Sequence, residues 1–132
     1  MQASNAQRAN SARQGQLAGL SRRGMLGSGA EIFLLNLNSG LAAGDPPSRE
    51  DYQAIWDVWN ELPPDEQAAR GVAVNGSLVG LVESLSPEQV AAFRVAMFGM
   101  TMDLAGLLRM RLSEHAVHTW DVVVALDPSA RV

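Results

Sequence analysis

The last long helical stretch of the sequence carries four polar side chains that together could bind a metal ion or an acidic substrate. They are Arg111, Glu114, His118 and Asp121. At about 100° per residue they fall within about 80° of one another on a helix, as a narrow polar line between two apolar flanks. Such a helix is either largely buried with the line facing water, or it lines an interior site. Periodicity alone leaves both readings open.

Glu114 and His118 are the candidate metal ligands of this group. They are four residues apart, so one helical turn can present a carboxylate oxygen and an imidazole nitrogen to the same divalent ion. Asp121 is placed to orient His118 or to extend the set from outside. The alternative is a solvated or salt-bridged helix face, which the same spacing also fits.

Arg111 and His115 flank the candidate ligands. Arg111 could hold a substrate carboxylate through a two-point contact, or it could pair with Glu114 three residues further on. His115 is offset by about 60° from the middle of the polar line, so we expect a packing or surface histidine there and not a ligand.

Length and composition narrow the class of protein. The 132 residues suffice for one small domain, and a 47% hydrophobic, 18% charged composition excludes wholesale disorder and a fibrous repeat. No apolar run is long enough to span a bilayer, and the amino terminus lacks a secretory signal, so we predict a cytoplasmic protein without a membrane partner. The sequence contains no Cys, so any metal must be held by His and carboxylate side chains.

The charge of -4 is unevenly distributed. Residues 1–30 contain four Arg and no acidic residue, whereas the rest of the chain carries the remaining six Arg against 14 acids. Residues 1–25 lack a sustained apolar face, and we predict a disordered leader; a targeting peptide or an arm for an anionic partner is the alternative. Four Arg without aromatic residues between them are a weak electrostatic signal for nucleic-acid binding, so we predict no nucleic-acid partner.

Apolar periodicity and helix-breaking residues predict an all-α fold of unequal helices. We expect helices over residues 28–41, from Ser48 to the Pro63-Pro64 pair, from there to Leu85, from Ser86 to Phe93 and from Asp103 to Leu126, with a loop around Phe98 to Thr101. Asn75-Gly76 could instead turn a hairpin in the third element, but the flanking residues do not alternate as strands do. The aromatic-rich spacing of Tyr52, Ile55, Trp56 and Trp59 predicts an inner stripe on the second helix.

One segment of the last helix resembles a known family signature. The stretch from Arg111 to Asp121 reads RLSEHAVHTWD and is similar to the R-x-x-E-x-x-x-H-x-W-D signature of the mycothiol-dependent maleylpyruvate isomerase family. That family is a branch of the DinB-like metal-binding four-helix bundles common in actinobacteria. Residues 52–86 and 102–109 also resemble its middle helices. The resemblance covers residues 26–132, which predicts an up-down helical domain there after a leader over residues 1–25.

The resemblance implies a site and a chemistry. In such proteins a divalent metal, zinc or nickel, is held by a His from an early helix together with the Glu and His of the signature, here Glu114 and His118. Arg111 and Asp121 are the implied catalytic residues: Arg111 would support the substrate, and Asp121 would support the metal ligand His118. The metal acts as a Lewis acid that lowers the pKa of the small thiol mycothiol. The implied partners are therefore a small-molecule thiol and an organic acid.

The chain also departs from the family pattern. Met25 stands where the first His ligand is expected, ahead of Ala30 and Glu31, and a thioether is a poor zinc ligand. Glu31 or water would have to complete the coordination. The family's first and last helices are unmatched, so we expect a truncated or frame-disrupted member with impaired catalysis, and whether it is an enzyme stays open. The alternative is a non-catalytic helical interaction module, with a homodimer covering its apolar surface.

Overall fold

The computed structural model describes residues 27–131 of the chain. The expected leader, including Met25, lies outside these residues. The described part folds into five helices and one short hairpin. In chain order these are α1 (residues 27–41), α2 (Arg49–Glu61), α3 (Pro64–Glu83), α4 (Pro87–Ala92), β1 (Val95–Met97), β2 (Met100–Met102) and α5 (Leu104–Leu126). The all-α prediction is confirmed.

Local capping explains where the helices begin. At the start of α2, the Ser48 hydroxyl accepts a hydrogen bond from the Asp51 backbone at 3.1 Å, and the Asp51 carboxylate accepts one from the Ser48 backbone at 2.7 Å. The same reciprocal pair links Ser86 and Gln89 at the start of α4. Such boxes satisfy backbone N–H groups that the first turn leaves unpaired. The hydrogen bonds from Ser48 also hold the pKa of Asp51 below its ordinary value.

The third element is one continuous helix. α3 runs unbroken from Pro64 to Glu83, so the helix expected through Asn75-Gly76 is confirmed and the hairpin alternative is not. Pro64 occupies the first helical turn, where a missing N–H costs no hydrogen bond. The continuity matters for the site because it fixes the direction of Asn75, halfway along the helix.

The prediction of a loop around Phe98 to Thr101 is wrong. Residues 95–102 form an antiparallel hairpin instead, in which Val95 lies opposite Met102 and Met97 opposite Met100. Phe98 and Gly99 form its turn with φ values of 52° and 76°. Two successive residues with positive φ are the signature of the two-residue turn that matches strand twist. Val95 and Met97 point into the core, and Ala96 between them is exposed. This alternation is the two-residue period of a strand.

The core lies between α1, the middle of α3, the hairpin and the first turns of α5. Its buried apolar residues are Ile32, Phe33, Leu37, Leu78, Phe93, Val95, Met97, Leu104 and Leu107. The inner stripe expected on α2 is only partly correct. Trp59 is 1% exposed and packs towards α1 and α3, but Trp56 is 43% exposed. The sequence spacing places both on one side of the helix, yet only Trp59 has helices packed over it.

The second half of α5 leaves much of its apolar surface uncovered. Beyond Arg111, the last buried residue of this helix, it exposes Leu112, Val117, Trp120, Val123 and Leu126. A row of large apolar side chains in water usually marks an interaction surface. No helix among residues 27–131 is both long enough and apolar enough to cross a membrane.

Candidate functional site

The four polar residues of α5 lie at different depths. Arg111 is buried, and the His118 side chain is 17% exposed, whereas the side chains of Glu114 and Asp121 are 55% and 41% exposed. The polar line therefore neither faces water along its length nor lines a closed interior site. It runs from the core at Arg111 to the surface at Asp121. The buried end and the exposed end are therefore different environments for a ligand.

His118 has a carboxylate at each ring nitrogen. Its Nε2 lies 3.2 Å from Glu114 Oε2, and its Nδ1 lies 3.6 Å from Asp121 Oδ2. Two ligands of one tetrahedral zinc, each at about 2.0–2.1 Å, lie about 3.3 Å apart, so the Nε2–Oε2 spacing matches that of a shared ion. It equally matches a hydrogen bond. Asp121 stands where a metal-bound histidine commonly finds its outer carboxylate.

A third protein ligand is missing from the described residues. Within residues 27–131 no three His, Asp or Glu side chains come close enough to hold a metal ion together. Met25, the position of the family's first ligand, lies outside them. The described residues thus offer two neighbouring donors and do not by themselves fit a three-ligand metal site.

Glu31 does not take the place of the missing ligand. Of the two alternatives for completing the coordination, Glu31 or water, the structure favours water, because both carboxylate oxygens of Glu31 are already engaged. Arg70 Nη2 donates to them at 2.9 and 3.1 Å, and Trp59 Nε1 donates to Oε2. Arg70 also lies over the Trp59 ring, 5.2 Å from its centre. Glu31 therefore joins α1 to α2 and α3.

The groups in direct contact with the Arg111 guanidinium are neutral. Its guanidinium carbon lies 5.8 Å from the centre of the Phe33 ring, and its Nη2 donates to Asn75 Oδ1 at 3.3 Å and approaches His115 Nδ1 at 3.4 Å. Its Nε is buried without a partner among the described residues. The alternative ion pair with Glu114 is not formed. Burial lowers the pKa of Arg111 and the Glu114 charge opposes that shift, while a guanidinium stays protonated at neutral pH.

Asn75 is the site residue that sequence reasoning missed. His115 is exposed, as expected for a surface histidine, and its Nδ1 also accepts from Arg111, a contact that the sequence did not predict. Burial, and then the Arg111 charge, lower the pKa of His115 below its ordinary value. Asn75 comes from another helix, and no local pattern could have joined it to Arg111.

A groove between α3 and α5 opens onto Arg111. It consists of two adjoining cavities of about 440 and about 420 Å³ that share Asn75, Arg111 and His115. The wall of the first cavity is mostly aliphatic, with Leu78, Val79, Val82, Leu108 and Leu112, and it also includes the acidic side chain of Glu83. The second reaches Gly27, Gly71, Val72 and Val122. We call the two cavities together the α3–α5 groove.

Comparison with known proteins places the chain in a family. The sequence model of the mycothiol maleylpyruvate isomerase N-terminal domain matches residues 26–123, well over half of the chain. The match spans α1 to α4, the hairpin and all four polar residues of α5. No curated protein and no solved structure matches the chain. The resemblance found in the sequence is thus confirmed.

Proposed function

We propose that this chain, which belongs to the mycothiol maleylpyruvate isomerase N-terminal domain family, is a divalent-metal-binding domain with impaired catalysis. Glu114 and His118 are the metal ligands, and Asp121 orients His118. Zinc or nickel is the expected metal and mycothiol the expected cosubstrate. The observation that carries the proposal is the 3.2 Å separation of His118 Nε2 and Glu114 Oε2, with Asp121 on the other ring nitrogen.

The impairment follows from the number of ligands. With two protein donors, a bound metal would take its remaining ligands from water, and its affinity would fall well below that of a site with three protein ligands. In the family, the bound metal supplies a Lewis acid for thiol activation. A chain that held the metal weakly would carry less of it at a given concentration, and less of the protein would then be able to activate the thiol. Arg111 keeps its proposed role towards the substrate, since its position in the groove does not depend on the metal.

Zinc titration of the purified chain tests the ligand pair. We expect wild type to bind one Zn²⁺, with loss of measurable binding in Glu114→Ala and in His118→Ala. Asp121→Asn should bind about 10–100-fold more weakly, as expected for an outer carboxylate. Glu61→Ala removes an exposed carboxylate elsewhere and should bind like wild type. Isothermal titration calorimetry gives the constants, and the same variants are then tested with Ni²⁺. Unchanged binding in both ligand variants contradicts the proposal.

Restoring the missing ligand tests the cause of the impairment. If the absent imidazole at position 25 limits affinity, Met25→His should tighten Zn²⁺ binding at least about tenfold, and the gain should vanish in the Met25→His, His118→Ala double variant. Met25→Ala is the matched control and should bring no gain. A Met25→His chain that binds Zn²⁺ no better than wild type would refute the lost-ligand explanation.

A non-catalytic, homodimeric module is the second candidate function. The exposed apolar side chains on the second half of α5 favour it, because a second copy could cover them. Light scattering after size exclusion, in EDTA and over a concentration series, should then show a dimer. Val117→Glu should shift it to monomer, and Val90→Gln on α4, which is similarly exposed, should not. A monomer at every concentration rules this candidate out.

A further inference from the structure

Arg111 is a buried cation with no carboxylate in direct contact, and Glu114 acts on it only from a distance. The residue is 7% exposed, and its N–H groups reach two neutral acceptors, Asn75 and His115. No carboxylate of residues 27–131 lies within 4.0 Å of its guanidinium, and its Nε is unpaired there. Burying an unpaired charge is costly, and the binding of an anion beside it relieves part of that cost.

The missing charge is not supplied by a side chain of the printed sequence. The first acidic residue is Glu31, so residues 1–26 contain no Asp or Glu, and residue 132 is Val. Every side-chain carboxylate of the sequence is therefore among the described residues, and none of them pairs with Arg111. A ligand carboxylate bound in the groove would supply that charge.

The α3–α5 groove defines what that molecule looks like. Arg111 lies where the two cavities meet, and both have volumes within the usual range of small-molecule sites. Arg111 is the one Lys or Arg side chain on their walls and Glu83 is the one acidic side chain there, so the lining favours a single negative charge beside Arg111 over a doubly charged phosphate. A guanidinium fork matches a planar carboxylate. Asn75 uses its carbonyl oxygen on Arg111, so its amide NH₂ group remains to donate to the same anion.

We propose that the α3–α5 groove binds a monocarboxylic acid with an aliphatic body. The carboxylate lies against Arg111 and Asn75, and the body lies along the wall formed by Leu108 and Leu112. The inference deepens the proposed function by naming a ligand class, and it rests on the substrate role given there to Arg111. It does not require Glu114, His118 or a metal, so each of the two can fail alone.

Titration with octanoate in EDTA tests the site, with octanamide as the neutral analogue. Amide NMR spectra of the full chain should show octanoate binding at least about tenfold more tightly than octanamide, with shifts at Asn75, Leu108 and His115. From hexanoate to octanoate the affinity should rise about fourfold per methylene, the value for a buried CH₂ group. Equal affinity for octanoate and octanamide, or shifts confined to residues outside the groove, would overturn the proposal.

Variants separate the charge from the apolar wall. Arg111→Met should abolish the preference for octanoate over octanamide. Asn75→Leu keeps the guanidinium and should reduce this preference severalfold. The second variant remains informative if Arg111→Met does not fold. Leu112→Gln should weaken both ligands, because Leu112 lines the groove. Leu126→Gln, on the same helix, should weaken neither. An octanoate preference that survives Arg111→Met contradicts the proposal. Octanoate binding retained in Glu114→Ala, which lacks the metal ligand, supports it independently of the metal.

Discussion

Replacing Trp59 with alanine should lower the free energy of unfolding by about 3–5 kcal/mol, the range for truncating a large buried aromatic side chain. Trp59 is 1% exposed, its Nε1 donates to Glu31, and Arg70 lies over its ring. The substitution therefore opens a cavity and removes a hydrogen bond and a cation–π contact together. Because Glu31 lies on α1 and Arg70 on α3, the loss weakens the contact of α2 with both helices.

Urea unfolding followed by far-ultraviolet circular dichroism measures this loss. Trp56→Ala is the matched control on the same helix, and because Trp56 is 43% exposed we expect a loss of about 1 kcal/mol or less. Trp59→Phe keeps an aromatic ring but removes the indole N–H, and should lose about 1–2 kcal/mol. Similar losses at positions 56 and 59 would show that Trp59 does not hold α1, α2 and α3 together.

The sequence predicts the helices well because their boundaries are local. Ser48 with Asp51, and Ser86 with Gln89, satisfy the first N–H groups of a helix through contacts three residues apart. Such signals need no knowledge of the tertiary structure. The continuous α3 is a partial exception, since Gly76 weakens the helix locally and the flanking residues carry it through.

The hairpin and the depth of Trp56 depend on packing that local patterns do not contain. The alternation of Val95 and Met97 around Ala96 is a strand signal, but three residues are too few to separate a strand from an irregular joint. Its turn also requires Phe98 at positive φ, which a bulky residue rarely adopts. Trp56 and Trp59 share a helix side in the sequence, and only the placement of neighbouring helices distinguishes them.

The candidate site also has one part that the sequence predicts and one part that it does not. Glu114, His118 and Asp121 lie within two turns of one helix, so their proximity follows from helical geometry alone. The environment of Arg111 depends instead on Phe33 from α1 and Asn75 from α3. Those contacts are distant in sequence, and helix periodicity cannot predict which of several apolar flanks a neighbouring helix will cover. The α3–α5 groove could therefore be found only in the structure.

Gly27→Ala and Gly76→Ala should change stability in opposite directions. A Cβ atom on Gly27 would overlap the buried ring of Trp59 and lie 3.1 Å from the Gly71 Cα, whereas a Cβ on Gly76 meets no atom within 4 Å. Trp59 cannot move aside freely, because its indole is bonded to Glu31. Overpacking of this kind costs about 1–3 kcal/mol. In the interior of α3, Gly76→Ala should gain about 0.5–1 kcal/mol from helix propensity.

The pair of glycine variants also tests whether the spacing of α1 and α3 controls the groove. Gly27 and Gly71 line its second cavity, and a Cβ on Gly71 would lie 3.4 Å from the Gly27 Cα. If alanine at position 27 pushes α1 away from α3, urea unfolding should show the loss and the amide signals of Gly71 and Asn75 should shift. Gly76→Ala should leave both signals in place. A stabilised Gly27→Ala chain would mean that helix propensity, and not close packing, governs both glycines, because only then would the two substitutions have the same sign.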